Sequence, residues 1–579
     1  MRFRVGRARG LKHWLMAGAL TAFPTVAAAQ SGIPTRDELT RDQVQPTPRR
    51  STLNVVGGIE RSPCPLAAPQ YQDVSVTINS VVFDHLKGAT PEELQSAWAP
   101  YSGTAQPVAV LCEIRDAAAT ILRNKGYFAA VQVPTQRIES GVVHMETLFA
   151  RVVTVRARGQ TDGAEAKLAS YLSKLTDDEI FDRYRAERYL LLARDLPGYN
   201  VQLTLRPSGT GPGELIGEVS VVRQPYTLEA MVQNLASRAT GRWGGQIRGQ
   251  VFGLTGLGDV TTASLYSTFH TKEQQILQLS HSFRPGSEGL VVDGLFTYAW
   301  TNPNIQTTEV VPDLKARTLF ASLGVRYPMV RSQATNVWIG GGFDYLNQKV
   351  DFFGPQSRDR LRVAFLRASW DSVDLGSRRP KWRAAATAEL RHGLDILDAS
   401  DRCPDMLCPL DGSGPSRADG DPTATVLRLA GQAEVALGKS LALAVLPRGQ
   451  YGFDPLLAFE EFTAGNYTVG RGYDPAVITG DSGAGVSVEL RGPRIAPAKV
   501  ETLSFQPFVF GDAAWVWNHH VPDDPEHVKS AGGGVRAEFG GRFRLDAALA
   551  VPLEKAGLEH KKGDARFLVT LTSRILPWR

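Results

Sequence analysis

Two stretches of this 579-residue chain could carry chemistry. Residues 466–485 read NYTVGRGYDPAVITGDSGAG, and the GDSGAG half looks like the serine-protease loop that would make Ser482 a nucleophile. Such an enzyme needs a base within hydrogen-bond reach of the serine and a third group to orient that base. The ten histidines are scattered and none sits in a recognisable base motif, so Ser482 is expected to be a structural residue at a loop-to-strand turn. Residues 518–527, NHHVPDDPEH, gather His519, His520 and His527 with Asp523 and Asp524. Adjacent histidines in an extended chain point apart, so the stretch reads as a solvated exterior loop and not as a metal site. No metal or cofactor is expected, and the chain lacks the G-x-x-x-x-G-K-[ST] loop of an ATP site.

The VGRGYDP half asks for a different partner. It holds Arg471 between Gly470 and Gly472, with Tyr473 beside it. An arginine in a low-dielectric cavity needs a carboxylate, and FQPFVFGDAAWVW (505–517) offers one. Alternation places Phe508, Phe510 and Asp512 on one face and Val509, Ala513, Trp515 and Trp517 on the other. The tryptophan face suits lipid, so Asp512 is expected to point inward. A clamp of Arg471 on Asp512, with Tyr473 packed on Phe510, would hold a loop inside a lumen. An external hairpin with a solvated arginine fits the pattern equally well.

The elements that must position these residues begin with an export signal. Arg2, Arg4, Arg7, Arg9 and Lys12 precede the apolar run LMAGALTAFPTV, which ends at Ala27, Ala28 and Ala29, so residues 1–29 read as a cleaved secretory leader. No later segment has the roughly 18 apolar residues a spanning helix requires. Export permits disulfides, and neighbourhood pairs Cys64 with Cys112 and Cys403 with Cys408. Free thiols or a metal are the alternatives, and no histidine stands at ligand spacing beside either pair. A net charge of +5 from 64 basic and 59 acidic residues gives no ground for a nucleic-acid partner.

Residues 30–70 read as a polar tether with at most one short helix, capped by Thr35 with Glu38 completing a capping box. No long amino-terminal helix is evident, so residues 31–50 are not expected to plug anything. Residues 71–158 run strand, helix, helix, strand, strand. The first strand is VSVTINSVVF, the first helix is signalled by Thr90, Pro91 and Glu93, and the second carries Leu111, Ile114, Ala118, Ile121 and Leu122 on one face until Gly126 stops it. Residues 159–223 repeat this architecture around the helix DDEIFDRYRAERYLLLARDLPG.

From 224 onward, sixteen segments of about ten residues or more alternate with period two, an even number suited to an antiparallel transmembrane barrel. Connections such as GLTGLGD, RPGSEG, GKS and GGR are tight, whereas 301–315, 395–422, 452–481 and 517–528 are long. Short turns belong on the periplasmic side, which puts the repeated modules in the periplasm and the Cys403 and Cys408 pair outside. A soluble β-sandwich or β-helix is the alternative, but TTASLYSTF and RAAATAELRHG put small or polar residues on one face. Trp243, Trp300, Trp338, Trp515 and Trp517 near strand ends suit interfacial girdles.

At this point the residues resemble a family. GYFAAVQVPTQRIESGVVHMETLFARVVTVRARG, YLLLARDLPGYNVQLTLRPSGTGPGEL, LEAMVQNLASRATGRWGGQIRGQVFGLTGLGD, VGRGY and the Phe510-x-Asp512 strand together are similar to the two-partner secretion transporters, the haemolysin secretion/activation proteins, over essentially all of the mature chain. The resemblance implies α+β POTRA modules at 71–158 and 159–223 in the periplasm, followed by an all-β sixteen-stranded barrel at 224–579 in outer-membrane lipid. It implies an inward loop at 452–481 bearing Arg471, Gly472 and Tyr473, locked to Asp512 and Phe510. It also implies the partner: an unfolded exoprotein, haemolysin-like or adhesin-like, caught by its amino-terminal secretion domain and passed outward by a monomer that is not an enzyme. Three features depart from the pattern: an extra glycine at 470, Ala514 where the F-x-D-x-G motif has glycine, and an end in RILPWR without a terminal aromatic. The rival readings are an outer-membrane assembly or insertion factor of the same superfamily, a passive porin, and the Ser482 enzyme.

Overall fold

The computed structural model describes residues 33–40, 53–55, 64–304, 314–352, 354–377, 380–404, 407–409, 411–497, 502–519, 526–556 and 562–577. The expected leader, His520, Asp523, Asp524 and Trp578 lie outside them.

Among the described residues the first element is a single helical turn, α1 (Arg36–Leu39), in which Thr35 and Glu38 form both halves of the capping box. A short strand, β1 (Leu53–Val55), follows. The first module contains β2 (Ser75–Thr77), β3 (Ser80–Asp84), β4 (Ala105–Pro107), α2 (Val110–Asn124), β5 (Ala129–Gln132) and β6 (Val142–Phe149). Its main sheet has the order β3-β6-β5, covered by α2. Leu111, Ile114, Ala118 and Leu122 are buried on one face of the helix, as their spacing requires.

Two expectations for this module need correcting. The run VSVTINSVVF is broken into β2 and β3. The first helix is a 3₁₀ segment, Glu92–Ala97, where Glu93 accepts the Thr90 N–H at 2.9 Å. Pro100 follows at once and has no N–H to extend an α-helical ladder.

Cys64 is bonded to Cys112, tying the end of the tether to α2. The ring spans 48 residues, so reduction is expected to destabilise the module by about 4 kcal/mol of loop-closure entropy. Cys64→Ser should therefore speed proteolysis within residues 64–149 of the folded protein, and an unchanged cleavage rate would refute this.

The second module contains β7 (Arg151–Gly159), α3 (Glu165–Leu172), α4 (Arg183–Arg194), β8 (Tyr199–Pro207) and β9 (Glu214–Arg223). The helix expected across 177–198 begins only at Arg183, where Asp182 caps the free N–H groups of Tyr184 and Arg185. The sequence pattern missed α3, which is eight residues long and buries Lys167 on its inner face. The sheet order is β1-β8-β9-β7. The tether strand β1 thus covers one edge, pairing parallel from Leu53↔Leu203 to Val55↔Leu205, and leaves β7 as the open edge.

The barrel wall comprises β10 (Tyr226–Gln233), β11 (Gly244–Phe252), β12 (Val260–Thr268), β13 (Gln274–Phe283), β14 (Val291–Thr301), β15 (Leu314–Arg331), β16 (Thr335–Phe352), β17 (Pro355–Val373), β18 (Trp382–Gly393), β19 (Thr425–Leu437) and β20 (Leu441–Gly452). After an inserted hairpin, β21 (Phe462–Ala464) with β22 (Ile478–Gly480), the wall resumes with β23 (Ser482–Arg491), β24 (Leu503–Trp517), β25 (Glu526–Phe539), β26 (Phe543–Pro552) and β27 (Arg566–Leu576). Sixteen antiparallel strands close when β27 pairs with β10.

The burial pattern is inverted relative to a soluble protein. In β12, Thr262, Ser264 and Thr268 are buried while Leu265 is 52% exposed, and Leu366 on β17 is 65% exposed. Apolar residues on the outer surface and polar ones within are what a lipid-embedded wall demands. Strands β15 to β17 exceed the ten or so residues that span a bilayer and extend the wall outward, with only residues 353–354 between β16 and β17. The loop containing the bonded pair Cys403 and Cys408 folds against that extension, where Ser400 bonds Arg358 and Arg360.

The second module is fastened to three turns of the wall. Arg331 forks onto Asp195 at 2.7 Å through both nitrogens, and Arg284 donates to the carbonyls of Asp195 and Gly258. Arg188 donates to the Pro328 carbonyl at 2.9 Å, and Leu196 packs where a side chain at Gly258 would otherwise stand. These turns, at 253–259, 284–290 and 332–334, therefore mark the periplasmic end. Asp195→Ala removes a bidentate charged bond worth about 1.5–3 kcal/mol. Spin labels at Tyr184 and Lys439 should then show a broadened distance distribution, and an unchanged one would count against this docking.

Candidate functional site: the lumenal loop

Residues 453–481 leave β20, enter the lumen as the β21–β22 hairpin, and return to β23. The turn depends on glycine twice. Gly470 takes φ +116°, a region L side chains rarely adopt, so the extra glycine is used by the backbone. At Gly472 a Cβ would lie 2.8 Å from the Pro552 backbone nitrogen and 2.9 Å from Ser530 Cβ, which leaves no room for a side chain against the wall.

Between these glycines Arg471 faces β24. Its backbone N–H and Nε donate to Asp512 Oδ2 at 2.9 and 3.1 Å, and Nη2 reaches Oδ1 at 2.8 Å. Ser487 and Ser530 hydroxyls bond the same carboxylate at 2.6 and 3.1 Å, so a side chain with no solvent exposure has its lone pairs occupied. The guanidinium lies 3.7 Å above the Phe510 ring. It also donates to Glu489 on β23 at 2.8 Å. Glu489 in turn receives Arg536 and Arg491, so the loop joins a ladder of alternating charge along the inner wall.

The sequence brought Arg471 toward Asp512 by alternation but missed Glu489, which the same period-two count on β23 places on the inner face with Ser487. The expected packing of Tyr473 on Phe510 is not what forms, because the cation occupies that ring. The Tyr473 hydroxyl instead lies 2.8 and 2.9 Å from the Lys529 and Glu554 carbonyls, which share its one proton, and the ring packs with Val469, Ala514 and Val528. Ala514, the departure from F-x-D-x-G, is fully buried in that cluster, so its methyl fills space beneath the loop.

Ser482 stands at the loop's exit, where its Oγ accepts the Gly452 N–H at 3.0 Å. The preceding Asp481 is engaged by Arg417 and by the Leu456 N–H at 2.7 Å, so GDSG ties loop ends together. His519 lies with Nε2 2.8 Å from the Gly452 carbonyl, while His527 pairs with Glu554, so the two histidines serve different contacts.

A second occupant of the lumen corrects the sequence reading. Residues 33–40, the beginning of the tether, lie inside the barrel. Leu39 is fully buried among Tyr266, Phe320, Leu346 and Phe459, and Arg36 meets Asp344 and Glu389 at 3.4 and 3.2 Å. Asp37 accepts from Arg448 at 2.8 Å and from the Thr463 hydroxyl of the inward loop at 3.0 Å. One capped turn suffices as an insert because its anchors are charges on the wall and not helix length.

A channel for small solutes needs neither docked α+β modules nor a loop held by charge within the lumen. The architecture defines an outer-membrane secretion pore with its modules in the periplasm. The haemolysin secretion/activation protein ShlB/FhaC/HecB family matches residues 219–537, and the ShlB-type POTRA domain matches residues 76–148. The chain belongs to that family, the two-partner secretion transporters. Among solved structures, CdiB from Escherichia coli is similar with TM-score 0.74 at 16% identity, covering 95% of this chain and 99% of its own. CdiB from Acinetobacter baumannii is similar with TM-score 0.63 at 16% identity, covering 97% and 98%. No curated protein matches the chain by sequence.

Proposed function

We propose that the chain captures an unfolded exoprotein, haemolysin-like or adhesin-like, by its amino-terminal secretion domain at the POTRA modules and passes it through the barrel to the cell surface. The observation that carries this reading is the loop lock: Arg471 held by Asp512 and Glu489 inside the lumen of the barrel. Capture is by strand addition, which reads backbone more than side chains and so suits an unfolded client. The open edge of β7 is the candidate surface. It borders a groove of about 420 Å³ lined by Val153, Val155, Leu168 and Leu172, wide enough for alternate apolar side chains. Outside the cell, folding of the exoprotein makes the movement one-way.

The test is co-expression with a candidate exoprotein, the first choice being a large secreted repeat protein encoded beside this gene. The exoprotein should appear in the medium only when this chain is present. If no exoprotein is secreted, and other barrel proteins fail to assemble when the chain is removed, the assignment moves to an outer-membrane assembly factor.

A further inference from the structure

Three residues beyond the lock arginine, the loop carries a charge of opposite sign, Asp474, which faces away from β24 and toward the place where the barrel closes. Backbone pairing between the first and last wall strands runs from Leu228↔Leu576 to Gln233↔Thr570, with a register shift between Leu228 and Glu229. Beyond Gln233 the strands are joined through Asn234, whose backbone N–H donates to the Val569 carbonyl at 3.1 Å. Its side chain adds two more bonds. Asn234 donates to the Phe567 carbonyl at 2.7 Å and accepts the Val569 N–H at 2.7 Å.

The outermost residue of β27, Arg566, is buried, and Asp474 is its only carboxylate partner among the described residues, 2.7 Å from Nη1. On the other side of the seam, Asp474 Oδ2 accepts the Arg238 N–H at 3.0 Å, and Arg242 lies 3.7 Å away. One carboxylate therefore touches β27 and the segment that leaves β10. Its neighbours in the loop reinforce the contact: Asn466 donates to the Leu235 carbonyl at 2.9 Å, and Gln233 donates to the Tyr467 hydroxyl at 3.5 Å.

We propose that Asp474 is a positioning residue that pins the outer end of the seam between β10 and β27, making barrel closure and loop docking one unit. The sheet alone does not supply this pin, because the strands part before Arg566. A buried guanidinium left without its carboxylate is a large penalty, and the strand end carrying it would move toward solvent. The loop has two anchors with separate duties: Arg471 fixes it to β23 and β24, and Asp474 holds the wall shut. This inference does not depend on which client crosses the pore.

The test reads influx of a bulky antibiotic into cells carrying the full-length protein, with heat-dependent gel mobility used to verify a folded barrel. Asp474→Asn should raise influx about tenfold, the population change that accompanies 1.4 kcal/mol. Arg566→Gln, which leaves the loop sequence untouched, should do the same, and the double variant should leak no more than either single one. A disulfide across the seam, from Met231→Cys with Thr572→Cys, should return influx of Asp474→Asn to the parental level while leaving that of Arg471→Ala unchanged. Normal influx in folded Asp474→Asn, additive leaks in the double variant, or a leak the seam disulfide leaves in place would each overturn the proposal. Rescue of Arg471→Ala by the same disulfide would overturn the division of duties between the anchors. If Asp474→Asn does not fold, its disulfide-closed form and Arg566→Gln still decide the matter.

Discussion

Arg471→Ala is expected to reduce exoprotein secretion at least tenfold while the barrel still inserts in the outer membrane. The substitution removes every charged partner that Asp512 has among the described residues, leaving a fully buried carboxylate with the Ser487 and Ser530 hydroxyls and the backbone N–H of residue 471. Breaking a buried pair from one side costs about 3–5 kcal/mol, enough to shift the docked loop population by more than two orders of magnitude. Glu489 suffers less, because Arg536 and Arg491 remain on it. The reverse substitution, Asp512→Ala, should be milder, since Arg471 keeps Glu489 and its position over Phe510. Arg471→Lys should not restore full secretion, because an ammonium cannot engage Asp512 and Glu489 as a planar fork does. Gly472→Val should mimic Arg471→Ala for a steric reason, given the 2.8 Å approach to Pro552. Secretion at the parental level in Arg471→Ala would dispose of the lock as a functional element.

Deleting residues 33–40 is expected to give a larger and steadier single-channel conductance in planar bilayers. The segment fills lumen volume and contributes Leu39 to an apolar cluster on the wall, worth about 2 kcal/mol by burial of one leucine. Its charges hold it more selectively. Arg36 lies against Asp344 and Glu389 and 3.9 Å from Glu460, yet those carboxylates are also neutralised by Arg391, which is buried among them. Removal of the segment therefore leaves these carboxylates neutralised and frees only Arg448, which is a third exposed and loses Asp37, so the barrel should remain folded. Arg36→Ala should reproduce part of the conductance increase, because Leu39 and the Asp37 contacts persist. A conductance unchanged by the deletion would show that the segment does not obstruct the pore.

The two lumenal occupants differ in how far the sequence announced them. For the loop, period-two alternation on FQPFVFGDAAWVW was enough to turn Asp512 inward, because each residue of a strand points opposite to its neighbour whatever the rest of the chain does. The same count on β23 would have turned Glu489 inward, but nothing local says that β23 and β24 flank the tip of an incoming loop. For residues 33–40 the capping box of Thr35 and Glu38 was legible and its location was not. A single turn has no apolar stripe long enough to indicate a partner, and its anchors, Asp344, Glu389 and Arg448, lie some three hundred residues or more away along the chain.

The modules divide in the same way. The apolar face of α2 could be read because spacing of 3.6 is a local property, and the 3₁₀ form of 92–97 goes with Pro100, also local, whereas the short α3 depends on how the modules pack. The addition of β1 to β8 could not be foreseen from three residues in a polar tether.

What the sequence determined by itself was whatever repeats within a few residues: the sixteen wall strands, the faces they turn to lipid and lumen, the helix cap, and the glycines that let a loop carry Arg471 inward. What only the tertiary structure decided was which groups share the lumen and the seam. Closing a sheet of sixteen strands sets β10 beside β27 and brings Asp474, Arg238 and Arg566 to one point. Those neighbours are set by the circumference of the barrel, a global quantity that no local alternation encodes.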